Sequence, residues 1–274
     1  MKKTAAIILA IALSLVALAS CGKGAGQLDI GGYKIDADLA KYITDNGSTP
    51  EIFVSVYALA DAEGYDHSGD TFKSKCDAEY ERILAEGYGG DEDALEAELE
   101  EYGIEGFFDK IVEQGVLRDE LYGYLAEKGK IESDKDSIRK RLLDGEAVRV
   151  KRIIVDSADK TQLDEGYDEY ISGKISFEDL ADSLAKYSVE KGIGDYEDSY
   201  VVVKGNSDVD YENACFALEA DECSEPFSTS AGYCLVKRYE LTDGIVDKLL
   251  DRLAVSYMEG QYNLMLEAAA ETLK

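Results

Sequence analysis

The stretch VRVKRIIV at residues 148–155 decides the fold class. Five of its eight residues are β-branched and apolar, a composition typical of a strand that packs into a core. The sequence before this stretch, and the last thirty or so residues of the chain, have the three-to-four-residue apolar spacing of helices instead. The sequence therefore predicts an α+β fold, in which a small sheet is built into a mostly helical chain.

The sequence following this strand continues as a compact unit that alternates between helix and strand patterns. The patterns predict helices over 163–171, 177–187 and 211–218, and strands over 200–203, 223–227 and 233–239. Residues 146–242 would then form an α+β domain of normal size.

The segments outside 146–242 have the pattern of helices joined by short loops. Thr49 followed by Pro50 is a typical helix start, and Gly64 would end that helix. The acidic run 91–101 suits either a calcium site or a solvated helix face; it lacks the loop glycine of an EF-hand, which favours the solvated face. Residues 243–274 predict one more amphipathic helix, which must pack on a partner. We predict that 27–145 and 243–274 together form one helical domain.

The first twenty-one residues have the pattern of a lipoprotein signal. Lys2 and Lys3 precede the apolar stretch 5–19, which is too short to span a bilayer comfortably. The stretch ends in Leu-Ala-Ser before Cys21, which resembles a bacterial lipobox; an ordinary signal peptide with a chance cysteine is the alternative. We expect residues 1–20 to be removed, Cys21 to carry the lipid, and 21–26 to be a flexible tether. The protein would then be lipid-anchored on the extracytoplasmic face of the cell membrane.

The composition excludes several classes of function. A formal net charge of −29 repels phosphate backbones, so nucleic acid is not an expected partner. The only histidine is His67, which excludes His-rich metal sites and argues against a Ser-His-Asp triad. The remaining cysteines do not have zinc-ligand spacing, and export would permit their oxidation. The cysteines meant here are Cys76, Cys215, Cys223 and Cys234. We expect no metal and no cofactor.

A series of short motifs runs through the predicted α+β domain. In order, they are the strand at 148–155, a helix within 173–188, the pair Gly194-Asp195, the stretch YENACFAL at 211–218, SEP at 224–226 and TSAGY at 229–233. Their order and spacing resemble the parvulin-type peptidyl-prolyl isomerase family. The flanking motifs GGYKI at 31–35 and EYGI at 101–104 resemble exported foldases of the PrsA and SurA kind, in which a helical chaperone domain holds an inserted isomerase domain.

The resemblance implies a set of site residues. Arg152 and Cys234 stand where the family has its two active-site histidines, and Glu190 matches an acidic position. Tyr211 corresponds to the aromatic wall of the proline pocket, and Thr229 to a hydroxyl in the same network.

The resemblance implies a membrane-anchored foldase that assists unfolded or partly folded exported polypeptides through prolyl isomerisation. One alternative is a binding chaperone whose isomerase site is degenerate, because arginine only donates hydrogen bonds and cysteine is a weak partner. A solute-binding lipoprotein, from another class, would show alternating βα units, which this sequence lacks.

Overall fold

The structure is a computed structural model that describes residues 26–190 and 200–274, with the side chains of 26–184 and 200–274. The predicted signal peptide, Cys21 and the Gly194-Asp195 pair lie outside the described residues. The described chain forms two compact units. Unit 1 comprises the described residues up to Lys130 together with Leu264–Lys274, and unit 2 comprises Ile131–Asn263.

Unit 1 begins with an antiparallel hairpin formed by β1 (Gln27–Ile30) and β2 (Tyr33–Asp36). Gly31 and Gly32 make its turn with φ values of +57° and +96°, which favour glycine. This hairpin differs from the purely helical structure predicted from residue 27 onward, because strands of four residues are too short to show a clear alternation. Five helices follow: α1 (Ala37–Asp45), α2 (Pro50–Glu63), α3 (Asp70–Tyr88), α4 (Glu92–Tyr102) and α5 (Phe108–Glu127).

The ends of helix α2 confirm the sequence pattern. The Thr49 hydroxyl accepts a hydrogen bond from the Ile52 N–H at 3.3 Å, and Pro50 occupies the first turn, where no helical N–H is needed. Gly64 ends the helix in the left-handed conformation, with φ of +71°. The Asp91 carboxylate caps α4 in the same way as Thr49 caps α2.

The core of unit 1 joins the hairpin to all five helices. The buried side chains that form it include Ile30, Ile35, Leu39, Val54, Ile83, Leu95, Ile104, Phe108 and Val112. Leu273, which lies beyond the last helix of the chain, packs on the same cluster. Unit 1 therefore needs residues from both ends of the described chain to complete its core.

Unit 2 contains the small sheet. Its elements are α6 (Lys135–Arg141), a π-helical turn (Leu142–Glu146), β3 (Ala147–Val155), a 3-10 turn (Ser157–Asp159), α7 (Lys160–Ile171), α8 (Phe177–Glu190), β4 (Tyr200–Val203), α9 (Val209–Ala217), β5 (Phe227–Thr229), β6 (Gly232–Tyr239) and α10 (Asp243–Glu271), whose last residues belong to unit 1. The strand order is β4-β3-β6-β5, and every neighbouring pair is antiparallel. The predicted α+β fold class is confirmed.

The two faces of this sheet carry separate cores, because side chains of a strand alternate between faces. Ile153 and Val155 of β3 pack with Phe177 and other residues of α7 and α8. Ile154 packs on the opposite face with α9. The strand predicted at 223–227 is displaced, since β5 begins only at Phe227 and Cys223 forms an isolated bridge with Lys237.

Helix α10 contributes to the core of unit 2 through its first half. Val246 and Leu253 pack with Ile138 of α6 and Val203 of β4. The compact units therefore divide at 130/131 and 263/264, whereas the domain boundaries predicted from the sequence lie at 145/146 and 242/243. That residues 146–242 fold as an independent domain stays a prediction. None of the described helices combines the length and the hydropathy needed to cross a membrane.

Candidate parvulin site

Strands β3 and β6 bring Arg152 and Cys234 onto the same face of the sheet. In the register of this antiparallel pair, Arg152 lies opposite Val236, and Ile154 lies opposite Cys234. Arg152 and Cys234 are therefore diagonal neighbours on adjacent strands rather than a directly facing pair. Ile154, Cys234 and Val236 all belong to the core on the α9 side, which is the face that carries Arg152.

The guanidinium of Arg152 lies between two tyrosine rings. Its Cζ is 5.1 Å from the ring centroid of Tyr200 and 5.4 Å from that of Tyr211. Both distances are within the range of cation–π attraction, which contributes about 0.5–2 kcal/mol for each contact. The phenol groups of Tyr200 and Tyr211 also contact one another. Arg152 is thus held in place by aromatic faces, and its Nε is buried without a hydrogen-bond partner among the described residues.

The electrostatics of Tyr200 are set by burial and by this cation. Burial raises the pKa of the Tyr200 phenol well above its usual range, and the positive charge of Arg152 opposes that rise. Tyr200 therefore stays neutral at physiological pH.

Cys234 is completely buried on the same face of the sheet as Arg152. Burial raises the pKa of its thiol to about 12, although the charge of Arg152 acts in the opposite direction. Cys215 of α9 is also fully buried, and burial raises the pKa of its thiol to about 12. Neither thiol can serve as a base or a thiolate near neutral pH. The position where the family has its second histidine thus holds a neutral, weakly polar group.

Tyr211 and Phe227 form an aromatic wall on this face. Tyr211 lies in the first turn of helix α9 and is 5% exposed. The Asp208 carboxylate caps this helix by accepting a hydrogen bond from the Tyr211 N–H at 3.2 Å. The ring of Phe227, which pairs across the sheet with Cys234, stacks on Tyr211 at a centroid distance of 6.5 Å. The wall gives this region the apolar character that a proline ring requires.

Thr229 lies two residues beyond Phe227, at the end of β5, where the turn into β6 begins. Its hydroxyl donates to the carbonyl oxygen of Gly232 at 3.0 Å and accepts from the N–H of Ala231 at 3.3 Å. The hydroxyl thus stabilises the hairpin turn, and its proton points into that turn. The side chain of Glu190, at the end of α8, lies outside the described residues.

Three residues of this face were not identified from the sequence: Tyr200, Cys215 and Phe227. The apolar run at 200–203 was predicted as a strand, but its register against β3 was not. Tyr200 lies opposite Val150 in that register, which places it on the face of Arg152. Only the pairing of the strands could have identified Tyr200, because alternation alone does not determine which face a strand presents.

The chemistry open to this arrangement is limited by its donors. Arg152 supplies N–H donors and a fixed positive charge, and it does not accept hydrogen bonds. The Tyr200 hydroxyl and the buried thiols are neutral at physiological pH. The site can stabilise a carbonyl oxygen on which negative charge develops, but it has no group that ionises near pH 7 among these side chains.

Comparison with known proteins identifies the domain. Residues 155–240 match the family model of the rotamase domain described as a PPIC-type PPIASE domain. Tyr211, Thr229 and Cys234 lie inside the matched residues, and Arg152 lies three residues before them. No curated protein matches the chain.

Several solved structures are similar to this chain at low sequence identity. PrsA from Bacillus subtilis is 20% identical, with 86% of this chain and 82% of that chain covered and a TM-score of 0.29. The peptidylprolyl isomerase PrsA from Bacillus anthracis is 16% identical, with coverage of 80% and 94% and a TM-score of 0.38. A SurA-like chaperone from Campylobacter jejuni is 10% identical, with coverage of 89% and 94% and a TM-score of 0.34. The match to the family model confirms the resemblance predicted from the motifs, and the chain carries a parvulin, or PPIC-type, rotamase domain.

Proposed function

We propose that this protein is a membrane-anchored extracytoplasmic foldase that acts mainly by binding unfolded exported polypeptides, with a prolyl isomerisation rate near background. The observation that carries this proposal is the pair of residues at the family's histidine positions. Arg152 is held between two tyrosine rings, and Cys234 is a fully buried thiol whose pKa is raised to about 12.

An isomerase must lower the barrier to rotation about the X–Pro amide, which is about 18–20 kcal/mol. Catalysis comes from groups that favour the twisted amide more than the planar one. A pair of histidines can both donate and accept in such a network. Arg152 donates only and Cys234 is a weak partner, so the polar network is reduced, while Tyr211 and Phe227 would supply the apolar contact for proline. Binding without efficient turnover is the function that these side chains support best.

The alternative of a solute-binding lipoprotein has less support. Alternating βα units produce a parallel sheet. The sheet described in unit 2 is antiparallel at every pair, and a rotamase family model matches residues 155–240.

The proposal is tested by exchange NMR on a short X–Pro peptide. We expect the wild-type protein to change the isomerisation rate by less than about twofold over the uncatalysed rate, which has a time constant of roughly 10–100 s. The double variant Arg152→His with Cys234→His should give a measurable increase, because it restores paired donors and acceptors. Lys151→Ala is the matched control, since Lys151 is a cation on the same strand that points to the opposite face.

A fast wild-type enzyme that loses its activity in Arg152→Ala would overturn the proposal and make Arg152 a catalytic residue. In that case the guanidinium would be stabilising the substrate carbonyl directly.

A further inference from the structure

Unit 1 contains two neighbouring cavities on one side of its helices. One has a volume of about 610 Å³ and is lined by α3 and the start of α5. The other has a volume of about 420 Å³ and is lined by α3, α4 and the start of α5. Tyr80 and Asp109 belong to the walls of both cavities, so the two cavities adjoin at these residues. We call the pair the acidic groove; its two chambers have the size of ordinary ligand sites.

The floor of the acidic groove is apolar. Phe72 and Val112 lie under the larger chamber, and Leu99 and Phe108 lie under the smaller one; each is less than 7% exposed. Tyr80 stands between the chambers, half-buried, with its ring centroid 6.1 Å from that of Phe108. A bound chain would therefore meet fixed aromatic and aliphatic surface in both chambers.

The rim of the acidic groove carries six carboxylates against two lysines. Lys110 forms an ion pair with Glu113 at 2.5 Å, which leaves Lys73 as the other cation of the rim. The other five carboxylates form no ion pair within the described part of the chain. These five are Asp77, Glu96, Glu100, Glu105 and Asp109.

The acidic rim also acts on Tyr80. Burial raises the pKa of the Tyr80 phenol first, and the nearby charges of Glu92, Asp109 and Glu96 raise it further. The groove is thus a region of negative potential over an apolar floor.

We propose that the acidic groove binds segments of unfolded polypeptide in which basic side chains alternate with large apolar ones. This inference rests on the proposed polypeptide-binding function and names the class of segment bound. Exposed carboxylates attract ammonium and guanidinium groups, and two chambers separated by Tyr80 suit successive side chains of one extended segment. The aliphatic stems of lysine and arginine cover apolar surface while their charged ends reach the rim. Segments with acidic side chains would be repelled.

The test uses the full chain and two fluorescein-labelled peptides that differ only in having lysine or glutamate at alternate positions between leucine and phenylalanine. Fluorescence anisotropy should show the lysine peptide binding at least about tenfold more tightly at low salt, with the preference falling as salt is added. Neutralising four rim residues should remove most of this preference. The four changes are Glu96→Gln, Glu100→Gln, Glu105→Gln and Asp109→Asn.

A matched control removes the same total charge at residues that do not line the groove. It combines Glu127→Gln, Asp182→Asn, Glu240→Gln and Glu259→Gln, all exposed side chains. We expect this variant to keep at least about half of the wild-type preference, because long-range charge contributes less than charge at the site. An equal loss in both variants would show that net charge alone selects the peptide, and would overturn the groove assignment.

A charge-reversed variant provides a second test in case the four neutralising changes affect folding. Glu100→Lys with Glu105→Lys should shift the preference toward the glutamate peptide, provided circular dichroism shows the wild-type helix content. Aggregation of an unfolded client is measured alongside. Suppression of aggregation by wild type without any peptide preference would sink the groove and leave the proposed function standing. Absence of both suppression and peptide binding would overturn the proposed function and the groove together.

Discussion

Replacing Gly260 by alanine should lower the stability of the protein, although the same change usually stabilises a helix. Gly260 lies in the interior of α10, where alanine ordinarily stabilises a helix by about 1 kcal/mol relative to glycine. A Cβ at this position would lie 2.1 Å from the carbonyl oxygen of Lys204, a backbone atom of the turn after β4. Asn263 binds the neighbouring carbonyl of Gly205 at 2.9 Å, so that turn is held against the helix.

We predict that Gly260→Ala destabilises the protein by about 1–3 kcal/mol, because the helix and the turn must separate. The measurement is the free energy of unfolding in urea. Gly123→Ala is the control: Gly123 is also helical, but its added Cβ would meet no atom within 4 Å, so this change should be neutral or stabilising. A stabilised Gly260→Ala would contradict the close packing of α10 on the turn.

The buried thiols of unit 2 predict a loss of stability at alkaline pH. Burial raises the pKa of Cys215, Cys223 and Cys234 from 9.0 to about 12. Folding thus favours the protonated thiols, so their contribution is fully present below pH 9 and is lost as pH rises from about 9 to about 12. At pH 10 each thiol should lower the free energy of unfolding by about 1.4 kcal/mol, because the thiol ionises in the unfolded chain and stays protonated in the folded one.

The measurement is urea unfolding between pH 7 and pH 10 under reducing conditions. The variant Cys215→Ala with Cys234→Ala should show a distinctly shallower decline over this range. If the two proteins lose stability in parallel, the thiols are not the groups responsible.

The helices and strands show what sequence could and could not supply. The start and end of α2 were predictable, because Thr49, Pro50 and Gly64 act through local backbone geometry. Strand β3 was predictable from its β-branched run. The β1–β2 hairpin was not, since its short strands are held by packing on residues distant in sequence. Helix α6 was also missed: it is only seven residues long, and its buried Ile138 packs on α10.

The candidate site divides along the same line. Motifs pointed to Arg152, Cys234 and Tyr211, because motif spacing is a property of the chain itself. Tyr200 and Phe227 became visible only through strand register, which depends on pairing between distant segments. The placement of Arg152 between Tyr200 and Tyr211 thus depends on tertiary structure, although Tyr211 itself was identified from a motif.

The packing of α6 and α10 predicts which fragment of unit 2 folds alone. A fragment of residues 131–263 keeps Ile138, Leu142 and Val246, all fully buried, whereas 146–242 removes them. Burial of each such side chain contributes about 1.5–3 kcal/mol. We expect 131–263 to unfold cooperatively and to be at least about 4 kcal/mol more stable than 146–242, as measured by urea unfolding. Equal stability would favour the boundaries predicted from the sequence.

At the scale of the whole molecule, the proposed lipid anchor would set where the protein acts. If Cys21 carries the lipid, Cys21→Ala should move the protein from the membrane fraction to the soluble fraction. Fractionation of cells followed by immunoblotting measures this change, and a salt wash of the membranes is the control for electrostatic adhesion. A variant that stays in the membrane fraction after the wash would show that another anchor exists.

The contact of Leu273 with the β1–β2 hairpin has a consequence for the order of folding. The backbone and side chain of Leu273 lie against Gly31, and Leu273 packs on the core that contains Ile30. If the protein is exported as proposed, the hairpin would leave the translocation channel long before residues 264–274 do. Unit 2 would then have all its residues outside earlier than unit 1, whose closing segment leaves last. The proposed chaperone would complete the core of unit 1 only once its own export is finished.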